Sequence, residues 1–159
     1  HIRLANDGPV GFGKAGSFEG FCSGGGIAQL AEKVVSKKLK NGEPVAFCSD
    51  LESAAQLTAK DVALAARNDD PVAAEIIQIS AEYLGHGLAI LIDVLNPECI
   101  VIGSIYARNE ALFKPHVDRV LKEEAIPSAL DVCRINPAKL GDSIGDYAAL
   151  CVALYEDEF

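Results

Sequence analysis

Few side chains in this sequence sit where they could do chemistry, and the first that does is Glu19, at the end of a stretch rich in glycine. A carboxylate there can accept two hydroxyl donors at once, and a helix beginning soon after it supplies partial positive charge that keeps it ionised. The plainer reading is a surface glutamate that serves only that helix terminus. His1 carries an imidazole at the first position, where a ring is mobile unless something holds it. A tetrahedral zinc site needs about four nitrogen or sulfur ligands; the glycine-rich stretch offers only His1, so no metal is expected. His86 reads as packed or capping and His116 as surface, and neither belongs to a ligand set. Cys22, Cys48, Cys99, Cys133 and Cys151 lack Cys-x-x-Cys spacing and lie in apolar contexts typical of buried thiols. Gly103-Ser104, after a short apolar run, reads first as an ordinary strand-to-helix turn.

These groups must be positioned by elements with clear local signals. Residues 1–5 alternate in polarity and are expected to form a strand. Asn6 to Gly16 contains five glycines and prolines, which predicts an irregular loop. Ser23 caps a predicted helix whose apolar residues Ile27, Leu30, Val34, Val35 and Leu39 recur at helical spacing until Asn41-Gly42. Lys33, Lys37 and Lys40 share one face of it and read as solvated surface. Thr58 to Asp61 is a capping box for a helix to about Asn68, and Asp69-Asp70-Pro71 starts the next. That helix runs to about Leu95, with Gly85, Gly87 and Ala89 marking a close approach of another backbone. Asn96-Pro97 ends it. Cys99 to Ile102 predicts a strand covered on both faces, followed by a helix over about 107–124 broken at Pro115, a strand over 132–135 and a last helix over 147–155. Gly141-Asp142 and Gly145-Asp146 read as turn and cap chemistry, and the acidic tail, Glu156 to Phe159, as solvated. Helix, strand, helix, strand, helix is the order of an α/β lobe with parallel strands.

Composition narrows the classes of function. A chain of 159 residues, half of them apolar, can bury one substantial core. A formal charge of −9 repels a phosphate backbone and excludes a nucleic-acid-binding module. No apolar run reaches the roughly 18 to 20 residues that span a bilayer, because Glu75, Glu82, His86 and Asp93 interrupt the greasiest helix. Scattered cysteines fit a reducing cytoplasm. The absence of any methionine leads to the expectation of a processed, split or trimmed chain.

Three segments together carry a family resemblance. The first runs from Val10 through Phe12, Gly13, Gly16, Ser17 and Glu19 to Ser23-Gly24. The second is Tyr83 to Gly103, with its long helix and Asn96-Pro97 turn, and the third is Leu140 to Leu154. In this order they resemble the second half of the ROK family of sugar kinases and related repressors. The family's zinc loop, Cys-x-Cys-Gly-x-x-Gly-Cys-x-Glu, is matched in its glycines and its glutamate, but Val10, Phe12 and Ser17 stand where its cysteines would be.

The resemblance implies an α/β fold: the C-terminal lobe of an actin-like ATPase or ribonuclease H-like protein, with few parallel strands packed by long helices. Residues 1–159 would form a single such lobe, incomplete on its N-terminal side. It implies that His1 and Glu19 bind the sugar and that Gly103 and Ser104 line the adenosine end of the nucleotide cleft, although only the first glycine of the family's pair is kept. ATP and Mg²⁺ would serve the intact parent, whose catalytic aspartate is expected upstream of residue 1, and packing of Val10, Phe12 and Phe18 would partly replace the zinc. Alone, the chain is expected to be inactive, since phosphoryl transfer needs a phosphate-cradling loop, a metal and a proton-accepting carboxylate. Its open edges would seek the parent's own N-terminal lobe, a companion chain or a second copy. The leading reading is part of a glucokinase-like hexose kinase. The alternatives are the sugar-sensing, dimerising lobe of a ROK repressor and a non-catalytic interaction protein that kept the fold.

Overall fold

Helix-capping chemistry sets most of the architecture. The computed structural model describes residues 1–155; the acidic tail expected to be solvated lies outside them. Two short strands, β1 (Val10–Gly11) and β2 (Lys14–Ala15), pair antiparallel, and a five-residue helix, α1 (Phe18–Cys22), follows. Ser23 then caps α2 (Gly24–Lys40) by accepting the Gly26 N–H at 3.1 Å. After α3 (Leu51–Ala54), the capping box forms as expected around α4 (Ala59–Arg67): Thr58 Oγ1 accepts the Asp61 N–H, and the Asp61 carboxylate accepts the Thr58 N–H.

The long helix α5 (Pro71–Leu95) is the spine. Asp70 Oδ1 accepts the N–H groups of Val72 and Ala73 at 2.9 Å each, Pro71 takes the first turn, and Asn96 closes the helix in the left-handed conformation, φ 46°. Its face of Ile76, Ile77, Leu84, Leu88 and Ile92 is buried against α1, α2, α4 and α7 (Glu110–Glu124). Each such side chain contributes about 1.5 to 3 kcal/mol. The glycines of this helix admit side chains and, at Gly85, a backbone carbonyl: a Cβ on Gly85 would lie 2.7 Å from Val120 Cβ and 3.4 Å from Val117 O, and one on Gly87 would overlap the Phe18 ring.

A second layer holds β3 (Cys99–Ile102), α6 (Ser104–Arg108), α7, α8 (Pro127–Leu130) and β4 (Arg134–Pro137). A 3₁₀ turn (Gly141–Ser143) and α9 (Ile144–Leu154) complete the described chain. β3 and β4 pair parallel, with Cys99 opposite Arg134 and Ile102 opposite Pro137.

Several sequence expectations are corrected. Residues 1–5 make a single bridge, Arg3 opposite Ser17, rather than a strand within the described residues. The glycine-rich loop contains the β1–β2 hairpin rather than being irregular throughout. β3 is covered on one face: Ile100 and Ile102 pack on the core while Val101 is 64 % exposed. β4 begins two residues later than expected and α9 three residues earlier. Gly141, at φ 52°, supplies the turn before α9, and Asp146 lies inside its first turn.

The break between α6 and α7 falls at Asn109, not at Pro115, which sits within α7. Arg67 explains this: its Nη2 donates to Arg108 O and to Asn109 Oδ1, both at 2.8 Å, while Asn109 Nδ2 donates to Ile105 O at 2.9 Å. Side-chain bonds to α4 thus fix the corner. Nor are the cysteines uniformly buried. Cys48 is, Cys22 and Cys133 are half-buried, and Cys99 and Cys151 are exposed.

Candidate functional site

Glycines set the shape of the opening loop. At Gly16, φ 66°, a Cβ would collide with Ala5 O, and at Gly20 one would collide with Pro9 O. The loop is stitched by backbone bonds: Leu4 N–H to Gly16 O at 2.8 Å, Gly16 N–H to Pro9 O at 3.0 Å and Phe18 N–H to Ile2 O at 2.9 Å. Gln29 of α2 clamps the hairpin from outside. Its Oε1 accepts the Val10 N–H at 2.8 Å, and its Nε2 donates to Val10 O at 3.0 Å.

The three positions where the family's zinc cysteines would fall have separate fates. Val10 is 48 % and Phe12 84 % exposed, so the expected burial of these two does not occur, and of the three apolar residues only Phe18 packs against the core. Hydrogen bonds, not packing of Val10 and Phe12, hold the loop. Ser17 is fully buried, its hydroxyl accepting the Gly20 N–H at 3.0 Å as the cap of α1. Two of the positions therefore carry no ligand atom, and the hydroxyl at the third is already engaged.

Glu19 lies in the first turn of α1, inside the helix rather than ahead of it. Its carboxylate has no hydrogen-bond or ion-pair partner among the described residues. It lines a cleft of about 370 Å³ together with Cys22, Gly24, Gly103, Ser104 and Tyr106. The structure thus brings Glu19 and the Gly103-Ser104 turn, 84 residues apart in sequence, to one cavity. The same cleft keeps its other polar groups neutral. Burial, reinforced by the Glu19 carboxylate, pushes the Cys22 thiol far up, and burial, with Glu110 and Asp118, pushes the Tyr106 phenol up to about 12.

Ser104 has φ 54°, a conformation that favours glycine and that a serine seldom adopts. With Gly24 and Ile105 it is shared with an adjoining cavity of about 790 Å³, which also touches Gly25, Lys60 and Arg67. Sequence reasoning missed this second cavity. Lys60 and Arg67 lie seven residues apart on α4 and so share a face; that spacing was the available signal. His1 lines neither cavity: its ring meets Phe12 edge-on, with centroids 6.1 Å apart, and its carbonyl accepts from Lys14 Nζ at 2.9 Å. The hairpin itself reaches Glu19, since a Cβ on Gly11 would lie 2.8 Å from Glu19 Cγ. His86 lies outside the cleft, tilted against Tyr83. A separate cavity of about 480 Å³, lined by Lys33, Lys37, Phe21 and Tyr83, holds none of the expected site residues.

Residues 1–155 match the model of the ROK family. The chain belongs to that family. It is 33 % identical over 148 residues to a glucokinase of Halalkalibacterium halodurans, covering 91 % of this chain and 43 % of that protein. Among solved structures it is similar to a ROK family glucokinase from Streptomyces griseus, in complex with glucose and AMPPNP, with TM-score 0.72 and 24 % identity over 91 % of this chain and 47 % of that one. It is also similar to a ROK family transcriptional regulator, a homologue of the E. coli MLC protein, with TM-score 0.67 and 26 % identity over 86 % of this chain and 33 % of that one. This ROK chain therefore spans less than half the length of the relatives it matches. Its fold is the one read from the sequence: part of an actin-like ATPase fold, helix-rich, with few parallel strands. Among its described residues no helix is long and apolar enough to cross a membrane.

Proposed function

We propose that this chain is the C-terminal lobe of a glucokinase-like ROK hexose kinase, and that the cleft between α1 and the β3–α6 turn is its half of the active site. In this reading Glu19 accepts paired hydroxyls of the hexose, and His1, at the foot of the hairpin, contacts a further hydroxyl. Gly103 and Ser104 face the adenosine end of ATP, and Lys60 and Arg67 border the cavity beyond. The nucleotide, with Mg²⁺, supplies the phosphoryl group. The carboxylate that takes the proton from the attacking hydroxyl belongs to the parent's other lobe, so this lobe binds and orients without turning over alone. Zinc has no part in the reading, because Val10 and Phe12 offer no ligand atom and the Ser17 hydroxyl is committed to its cap.

The observation that carries the proposal is the single cleft lined by both an unpaired carboxylate and a left-handed strand-to-helix turn. Apolar surface supports a companion lobe or a second copy: Leu150, Val152 and Leu154 of α9 and Val101 of β3 are each more than half exposed. Five free thiols suit a reducing cytoplasm. The test is ATP-dependent phosphorylation of several hexoses by the full-length gene product and by residues 1–159 alone. Turnover by the former only is expected; turnover by the latter refutes the division of labour.

The likeness to the ROK regulator at 26 % identity favours one second reading, the sugar-sensing lobe of a repressor. Hexose binding without phosphorylation by the full-length protein, together with sequence-specific DNA binding, would decide for it.

A further inference from the structure

Among the described residues, Ser80 is the one buried position of α5 with a polar side chain, and it is fully buried. Helix propensity favours alanine there, which also avoids taking a hydroxyl out of water. α5 does use alanine at its buried positions Ala73, Ala81 and Ala89. The Ser80 hydroxyl makes its bond outside its own helix. Oγ donates to Phe21 O at 2.8 Å, a carbonyl in the last turn of α1, where a helix leaves its acceptors without partners of its own.

Two further contacts repeat along the same face of α5. Tyr83 stacks on Phe21, with ring centroids 3.5 Å apart and planes 11° from parallel, and the Phe18 ring lies over Gly87, where a Cβ would overlap it. Ser80, Tyr83 and Gly87 follow helical spacing and so share that face. At five residues, α1 is too short to hold itself as a helix. The rings fix how near α1 stands to α5, but stacked faces can slide; a directional bond from a hydroxyl fixes where along the face α1 sits. At about 100° per residue, Phe18, Phe21 and Cys22 fall on the side of α1 toward α5 and Glu19 falls off it, into the cleft with Gly103 and Ser104.

We propose that Ser80 is a positioning residue for the hexose site: its bond to Phe21 O sets the pose of α1 and so the place of the Glu19 carboxylate in the cleft. The proposal rests on reading Glu19 as a hexose ligand. Ser80 lines neither the cleft nor the adjoining cavity, so it acts through α1 and not on the sugar. Without the bond α1 samples more than one pose, and affinity falls in proportion to the fraction of molecules with Glu19 in place.

The test uses the full-length protein, calorimetric titration with D-glucose and D-mannose, and thermal unfolding without sugar. Ser80→Ala should weaken hexose binding about threefold to tenfold, the factor that corresponds to one neutral hydrogen bond. Ser80→Thr, which keeps the hydroxyl, should stay within about twofold of wild type. Val120→Ala is the control. Val120 is buried against Gly85, on the other side of α5 from Ser80, and its truncation should lower the unfolding midpoint at least as far as Ser80→Ala does, with hexose affinity unchanged. Added to Glu19→Gln, Ser80→Ala should cause no further loss of affinity, because it acts only through that carboxylate.

Normal hexose binding by Ser80→Ala, while Glu19→Gln weakens it tenfold or more, would overturn the positioning role and leave the hexose site standing. Equal weakening by Val120→Ala, or a full additional loss in the double variant, would show that the bond does not act through Glu19 and would overturn the role as well. If Glu19→Gln binds normally, or if the wild type binds neither sugar, the hexose reading falls and the positioning role with it.

Discussion

Removing the Gln29 side chain tests whether the hairpin beside Glu19 is held by hydrogen bonds from α2. Gln29→Ala deletes both bonds to Val10, 2.8 and 3.0 Å long. Each neutral bond contributes about 0.5 to 1.5 kcal/mol net. Because water reaches the freed groups, the lower part of that range applies, and the sum is about 1 to 1.5 kcal/mol. A loss near 1.4 kcal/mol multiplies a local opening equilibrium about tenfold. Native-state hydrogen exchange reads this directly: the amides of Gly16 and Phe18, which bond to Pro9 O and Ile2 O, should exchange about tenfold faster. The amides of α5 should not change, since loop opening is local. Unchanged exchange at Gly16 and Phe18 refutes the claim that Gln29 holds the hairpin. Equal acceleration in α5 would show instead that the bonds support the whole fold.

Pro115 lies exposed within α7, where it cannot donate to the preceding turn. Pro115→Ala should therefore stabilise the protein by about 1 to 2 kcal/mol in urea unfolding, after allowing for the freer unfolded chain; destabilisation would contradict this. Bonds from Thr58 hold the Asp61 carboxyl below its usual range, and the bond from the Ser53 N–H does the same for Asp50. A depressed folded-state pKa gives stability that is present above about pH 4 and lost as pH falls through the folded value. Asp61→Asn should flatten that acid limb of the unfolding midpoint. In thiol titration with an aromatic disulfide, the exposed Cys99 and Cys151 should react in the native state. Cys22, pushed up by burial and by Glu19, should react only on unfolding; fast native labelling of Cys22 would contradict the closed wall of the cleft.

Elements with a cap written into them were legible before any coordinates. Ser23, the Thr58–Asp61 box, Asp70-Pro71 and Asn96-Pro97 place α2, α4 and α5 within a residue or two, because each signal acts on its own helix. Long-range contacts were not legible. The α6–α7 corner moves from Pro115 to Asn109 because Arg67, 42 residues earlier, bonds to Asn109. Exposure was also misjudged for Cys99 and Val101, since a continuous apolar run does not say whether one face of a strand or both will be covered. At the site, Glu19 and the Gly103-Ser104 turn were named from the resemblance, but their meeting in one cleft is a tertiary fact. The bordering face of α4 went unnoticed although Lys60 and Arg67 repeat at helical spacing. The sequence predicts Phe12 as a buried substitute for metal, whereas it is a turn residue whose ring is exposed.

The most direct measurement of the central claim is a crystal structure of the full-length protein with a bound hexose and a non-hydrolysable ATP analogue. The account predicts hexose hydroxyls within about 2.5 to 3.0 Å of the Glu19 carboxylate and the nucleotide's adenosine against Gly103-Ser104. A sugar bound elsewhere, with Glu19 facing only solvent, would contradict it.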